Sequence, residues 1–213
     1  EVDGRKLFIG WMSNWDYASK VPTEKWRSAM TIPRELSLIK EAGHYRMSFQ
    51  PVRELKNYIS KTIKKETLIV DKETVITDKS LVDLSKVEIR FTLKGLKKDV
   101  YTFSLSNKAG NTILFGINKK DNYFFIDRTK SSNIAFSDVF ANKISKAPFT
   151  ENFETMEVKV IVDKTSIEVF YNNGKTVMTE IFFPNQPMEK FSVSKAIFNF
   201  SVEKITINQL NFN

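Results

Sequence analysis

The sequence predicts an all-β protein: an antiparallel β-sandwich of two packed sheets, preceded by a smaller group of strands. Three observations carry this expectation. Short runs rich in Val, Ile, Phe, Tyr and Thr follow one another at close intervals from residue 67 to the end. Phe occurs 18 times in 213 residues, and aromatic and β-branched side chains suit a pleated, half-buried surface. Helical patterns alternating with strands are missing, which argues against a doubly wound α/β sheet.

Taken in order, KLFIGWM at 6–12 is a short apolar run that reads as a buried strand. SAMTIPRELSLI at 28–39 alternates in its second half, and Pro33 demotes its middle to an edge or a bend. HYRMSFQPV at 44–52 sets Tyr45, Met47 and Phe49 against polar partners. These three pieces form one small antiparallel sheet with long connections, residues 1–53. ELKNYISKTIKK at 54–65 has Leu55, Tyr58, Ile59 and Ile63 at helix-like spacing, while Thr62 and Ile63 are poor helix formers. It is read as a linker whose helical state stays open.

Residues 66–213 then supply the sandwich, through TLIVD, TVIT, KVEIRFTL, VYTFSL, TILFGIN, YFFID, EVKVIVD, SIEVFY, TVMTEIFF, AIFNFSV and ITINQL. One hairpin is explicit. Ile167, Val169 and Tyr171 alternate with Glu168 and Phe170, Val177, Thr179 and Ile181 return, and Asn172-Asn173-Gly174 lies between. Asn-Gly supplies the positive φ values of a type I′ turn. Lys119-Lys120-Asp121-Asn122 punctuates the step from TILFGIN to YFFID.

Composition removes several function classes. The charge of +8 is dispersed among acids and apolar positions, so a nucleic-acid partner is not expected and solubility accounts for it. The densest basic run, SKTIKKE at 60–66, reads as solvated. Cys is absent, which excludes a disulfide framework and thiolate ligands. His44 is the only histidine, which excludes a multi-histidine metal site and argues against a Ser-His-Asp triad; on an alternating strand it reads as a surface or packing residue. No apolar run reaches the length of a membrane span, no Gly-rich loop precedes a helix, and no metal or cofactor is expected. The chain opens on Glu1, not Met, so its natural amino terminus is expected to lie upstream or to have been removed.

The candidate chemistry is sparse. Asp127-Arg128 suggests a buried carboxylate held by a guanidinium. Glu168 is either a solvent-face residue or half of an inter-sheet ion pair. Arg34 is suited to bridge to a distant carboxylate and fix the chain's path. None is paired with a second acid as a glycosidase requires. The densest feature is GWMSNWDYASKVPTEKW at 10–26, which holds all 3 tryptophans. Indoles make platforms for the C–H faces of sugars and Asn14 can both donate and accept, yet core packing fits the spacing equally well.

The order of these residues says more than their spacing. GRKLFIGWMSNWDYASKVPTEKWRSAMTIPRELSL at 4–38 closely resembles the end of the catalytic β-propeller in glycoside hydrolase family 32, the levanases, inulinases and invertases. The elements that carry the likeness are Gly10-Trp11-Met12, Asn14-Trp15, Tyr17, Val21-Pro22-Thr23, Trp26-Arg27 and Pro33-Arg34-Glu35-Leu36. DRTKS at 127–131 and VDKTSIEVFYNNGKTVMTEIFFP at 162–184 resemble the carboxy-terminal sandwich of the same family, while 54–120 matches in strand pattern only.

The resemblance implies strands of an incomplete propeller blade, then a sandwich, within a retaining β-fructosidase. There an Asp nucleophile, a Glu acid/base and an Asp in an Arg-Asp-Pro motif act on levan, inulin or sucrose. By it, Trp15 lines the terminal fructose pocket with Asn14 beside it; Trp11 and Trp26 are read as packing residues. No catalytic residue is assigned in this chain: the Trp-x-Asn-Asp-Pro-Asn-Gly, Arg-Asp-Pro and Glu-Cys-Pro motifs are not in it. The fructan or sucrose partner would be met through the propeller, which contacts this chain within or between molecules. The same resemblance suggests a secreted, periplasmic or cell-surface setting.

Overall fold

The computed structural model describes residues 3–41 and 43–212; Glu1, Val2, Ala42 and Asn213 lie outside the described residues. The chain runs through β1 (Lys6–Phe8), β2 (Arg34–Glu41), β3 (His44–Pro51), a 3-10 turn (Arg53–Tyr58), β4 (Ile59–Lys65), β5 (Leu68–Val70) and β6 (Thr74–Asp78). It continues through β7 (Lys86–Lys94), β8 (Val100–Ser106), β9 (Thr112–Asn118), β10 (Tyr123–Lys130) and β11 (Ser145–Pro148). The last elements are β12 (Thr155–Asp163), β13 (Ser166–Tyr171), β14 (Thr176–Ile181), β15 (Lys190–Val193) and β16 (Phe200–Leu210). Among the described residues these strands form three antiparallel sheets, ordered β1-β2-β3, β11-β10-β9-β8-β15-β6, and β14-β13-β12-β7-β16-β4 with β5 also on β16.

The two larger sheets are the sandwich. Alternation along β7 sends Val87, Ile89, Phe91 and Leu93 inward, and β12 does the same with Met156, Val158, Val160 and Val162. The facing sheet answers with Phe103, Phe115 and Phe191, whose rings stack at 5.3–6.0 Å, and Phe91 reaches across to Phe103 at 4.8 Å. Fully buried Tyr171 donates its hydroxyl to the Gly116 carbonyl at 3.2 Å, joining β13 to β9. Burial pushes that phenol above its ordinary pKa, so it stays protonated and keeps the bond.

Several expectations change here. KLFIGWM is not a buried strand: β1 holds only Lys6–Phe8, and Leu7, Phe8 and Ile9 are exposed. For 54–65, whose helical state the sequence leaves open, the structure shows no α-helix. That segment makes the 3-10 turn and then β4, which pairs with β16 from Ile205↔Lys65 to Leu210↔Ile59. Leu55 lies buried against Phe170, Ile161 and Leu210, so this stretch packs onto the sandwich. AIFNFSV and ITINQL share one strand, interrupted at Lys204 by a positive φ of 52° and a register shift between Glu203 and Thr206. The first part of AIFNFSV lies outside that strand, with Ile197 and Phe198 exposed.

The Asn-rich hairpin forms, with its turn one residue earlier than Asn-Gly. Gly174 N–H bonds to the Tyr171 carbonyl at 3.0 Å, so Asn172 (φ 46°) and Asn173 (φ 56°) are the central pair. Gly174, at φ 76°, has a different task. Phe49 N–H on β3 donates to its carbonyl at 3.0 Å, and Ser48 Oγ donates to the Asn173 carbonyl at 2.6 Å. A Cβ on Gly174 would stand 1.9 Å from the Phe49 carbonyl oxygen. The turn of the sandwich therefore caps the free edge of the small sheet.

A charged cluster holds the other end of that sheet. Arg5 donates to Glu35 and Glu54 at 2.7 Å and to Asp3 at 2.6 Å, tying the start of β1 to β2 and the 3-10 turn. The Arg5 hydrogen bond holds the Glu54 carboxyl down to about 2. Its folded value lies below the ordinary 4.5, so its contribution is present above about pH 4.5 and is lost as pH falls toward 2. Urea unfolding of Arg5→Ala is expected to show a flatter stability–pH slope across that window than the parent.

Gly174→Ala combines unfavourable φ with backbone collision. A loss of about 3 kcal/mol or more is expected from chemical denaturation. Gly110→Ala, at φ 82° with nothing within 4 Å of the new Cβ, should lose only about 1–2 kcal/mol. Equal losses would show that the contact with Phe49 contributes nothing.

Candidate functional site

The tryptophan-rich segment is a closed loop. Trp11 bridges to Met30, Met12 N–H donates to Ala29 O at 2.9 Å, and Thr31 N–H donates to Gly10 O at 2.8 Å. The Thr31 hydroxyl also accepts from Gly10 N–H at 2.9 Å. Residues 13–28 project from this ribbon. Asn14 organises their first bend: its Oδ1 accepts Asp16 N–H at 2.9 Å and its carbonyl accepts Ala18 N–H at 2.8 Å, leading into the 3-10 turn Ala18–Lys20.

That bend lifts Trp15 away from the protein. Its side chain is 87% exposed and leans on the half-buried Trp11 ring at 5.0 Å. The Trp11 Nε1–H and the Ser13 hydroxyl are buried and unpaired among the described residues. Trp26 is 44% exposed and lines a cleft of about 840 Å³ with Pro22, Thr165 and Pro184. Packing therefore describes Trp11 only in part and Trp26 poorly.

Tyr17 anchors the loop from behind. It is buried, edge-on to Phe140 at 5.0 Å, in a cluster with Val21, Ile181 and Phe183. Arg128 completes the anchor, its guanidinium 4.2 Å from the Phe140 ring centre and 5.6 Å from that of Tyr17. Arg128 Nη1 donates to the Ile181 carbonyl at 2.7 Å, and Nε reaches Glu180 Oε2 at 3.1 Å. The expected Asp127–Arg128 pair is thus replaced by Arg128–Glu180. Adjacent residues on a strand point to opposite faces, and Asp127 instead accepts from the Thr129 N–H at 2.9 Å and hydroxyl at 2.7 Å.

The two isolated charges of the sequence meet each other. Arg34 Nη2 donates to Glu168 Oε2 at 2.5 Å and to Thr179 Oγ1 at 2.7 Å, while Ile32 N–H donates to Glu168 Oε1 at 2.8 Å. Glu168 is 2% exposed, and the Arg34 guanidinium lies 5.3 Å from the Phe170 ring centre. Burial pushes the Glu168 carboxyl up, and Arg34 and the Ile32 N–H oppose that. Of the alternatives for Glu168, the inter-sheet ion pair is realised, between β13 and the small sheet. The sequence marks Thr179 only as an alternating residue of the return strand and does not mark Glu180; their positions on β14 were the available signal.

His44 is exposed in a separate cleft of about 700 Å³, between the Glu41–Lys175 and Arg46–Glu151 ion pairs. Among the described residues no cluster of three or more His, Asp or Glu side chains could hold a metal ion. Among the same residues no helix is long and apolar enough to cross a membrane.

The model for "Glycosyl hydrolases family 32 C terminal" matches residues 54–210, and that for "Glycosyl hydrolases family 32 N-terminal domain" matches residues 1–51. The chain belongs to glycoside hydrolase family 32. Among family-32 relatives it is 31% identical to a levanase of Bacillus subtilis over 210 residues, covering 98% of this chain and 31% of that protein. An extracellular exo-inulinase of Aspergillus awamori is 32% identical over 184 residues, covering 84% of this chain and 34% of that protein. The chain thus spans about a third of the length of these two relatives. The crystal structure of exo-inulinase from A. awamori superposes with a TM-score of 0.78 at 23% identity, covering 96% of this chain and 40% of that one, and shows the shared fold.

If the buried pair positions the family-32 N-terminal segment, breaking one half must cost more than replacing both. Arg34→Ala is expected to lose about 3–5 kcal/mol, because it leaves Glu168 buried and unpaired. Arg34→Met with Glu168→Leu should recover most of that loss in thermal and urea melts.

Proposed function

We propose that this chain is the carboxy-terminal part of a β-fructosidase acting on levan, inulin or sucrose, and that the chain itself is non-catalytic. In this reading its sandwich supports the catalytic β-propeller, residues 1–53 belong to the last blade, and 54–65 join the two parts, with 59–65 built into the sandwich as β4. The carrying observation is the use made of the outer face of β13. Glu168 and Phe170, which point away from the sandwich core, are covered by Arg34, Ile32 and Leu55. A face consumed in holding another sheet is a mount. The small sheet meanwhile keeps Phe8, Leu38, Tyr45 and Met47 exposed, apolar area suited to contact with the rest of a propeller.

Trp15 and Asn14 are the residues we assign to substrate. The exposed indole offers a face to a fructosyl ring, and Asn14 fixes the bend that presents it. The buried, unpaired groups of Trp11 and Ser13 beside them support a polar neighbour at this edge.

The 213-residue chain is expected to release no fructose from levan, inulin or sucrose; measurable release overturns the non-catalytic reading. In a longer protein that contains this segment, Trp15→Ala is expected to raise KM for fructan about tenfold or more, as loss of an aromatic contact would. An unchanged KM would remove Trp15 from the pocket.

A second reading, a carbohydrate-binding sandwich, is favoured by Trp26 in its cleft. Titration of the chain with fructo-oligosaccharides separates the two: saturable binding lost in Trp26→Ala supports the module, and no binding supports the mount.

A further inference from the structure

One end of the sandwich carries a built feature that the fructosidase reading does not use. It lies where β7 turns into β8, where β9 turns into β10, and in the connection from β15 to β16. Asp99, 2% exposed, sits among these segments. Its Oδ2 accepts the N–H groups of Ile197 at 2.5 Å and Phe198 at 3.1 Å. Its Oδ1 accepts Val100 N–H at 2.8 Å and stands 3.3 Å from Lys120 Nζ. Fully buried Tyr101 holds the neighbouring turn, its hydroxyl accepting Lys97 N–H at 2.7 Å and donating to the Lys97 carbonyl at 3.2 Å. A Cβ on Gly95 would lie 4.0 Å from the Asn199 carbonyl oxygen, so the two loops abut.

The backbone is therefore held from inside by a carboxylate and a phenol, and the side chains are left outside. Ile197 is 68% exposed and Phe198 41% exposed. Around them stand the exposed lysines Lys97, Lys98, Lys120 and Lys195, with Lys97 Nζ 5.1 Å from the Phe198 ring centre. Asp121 and Glu154 are the exposed acids of the same end, and Asp121 accepts from Asn118 Nδ2 at 3.0 Å. The balance is positive. A polyanion in water would satisfy the lysines but offer nothing to an exposed isoleucine. An interface that is both anionic and apolar satisfies both.

We propose that this tip docks on bilayers containing anionic phospholipid, with Ile197 and Phe198 entering the boundary between headgroups and acyl chains and the lysines facing the phosphates. Apolar insertion and lysine attraction act together at such a surface.

The test is cosedimentation of the chain with vesicles of phosphatidylcholine alone and of phosphatidylcholine mixed equally with phosphatidylglycerol. Binding to the mixed vesicles only, weakening as salt is raised, is expected. Lys97→Glu with Lys98→Glu should weaken it by about fivefold per lysine or more. Ile197→Ser with Phe198→Ser, both at exposed positions, should also weaken it several-fold while leaving the thermal melt unchanged. Lys25→Glu, at the cleft near Asp163 and hence at the opposite end of β7, should leave it unchanged. Equal binding to neutral vesicles, or none to either, overturns the proposal. So does binding that survives the double serine change and is matched by soluble polyphosphate, which would mark a simple polyanion site.

Discussion

The buried pair of Arg34 and Glu168 is the interaction on which the arrangement of this chain depends. It joins the first residue of β2 to the outer face of β13, 134 residues later in sequence. Two charges taken out of water repay their desolvation only when the remaining donors and acceptors are satisfied. Here Ile32 N–H occupies the second carboxylate oxygen and Thr179 shares the guanidinium. Such a geometry tolerates little displacement, so it sets position more than it adds stability. Leu55 and Phe170 then bring apolar area beside it, and the Asn172–Gly174 turn closes on β3.

The same device recurs at two other places. Arg128 is buried beneath the tryptophan loop, held by Glu180 and the Ile181 carbonyl and covered by Tyr17 and Phe140. Asp99 is buried beneath the lysine-rich end, held by backbone N–H groups. In each case one buried charge orients a loop from inside and leaves its outward side chains free. Trp15 at one end and Ile197 at the other are exposed because other residues carry the anchoring.

Much of the sandwich was legible. Alternating apolar runs located β7, β8, β9 and β12, because a sheet buried on one face imposes a period of two, and β13 carries the same alternation. β4, β11 and β15 escaped for a shared reason: ISKTIKK, SKAP and KFSV are short, or mix lysine with apolar residues, and pairing with a neighbour holds them as strands. The first residues of AIFNFSV read as strand from composition, yet Asp99 takes the N–H groups that a ladder would have used. At the candidate site, Arg34 was recognisable as a charge suited to a distant carboxylate, and Glu168 as either a solvent-face residue or half of an ion pair, but nothing local names a partner so far away. Asp127 and Arg128 show the converse, since adjacency in sequence suggested a pair that strand geometry forbids.

The sequence by itself determined the all-β class, the hairpin at Asn172–Gly174 and, through the order of residues between Gly4 and Leu38, the likeness to family 32. These depend on local periodicity, local turn chemistry and linear motif order. Only the tertiary structure decided which charges pair, that both faces of β13 are buried, and that Trp15 projects into solvent while Tyr17 two residues later is enclosed. Those outcomes depend on which distant surfaces meet. A polar residue in an alternating strand carries the same pattern whether water or another sheet lies over it.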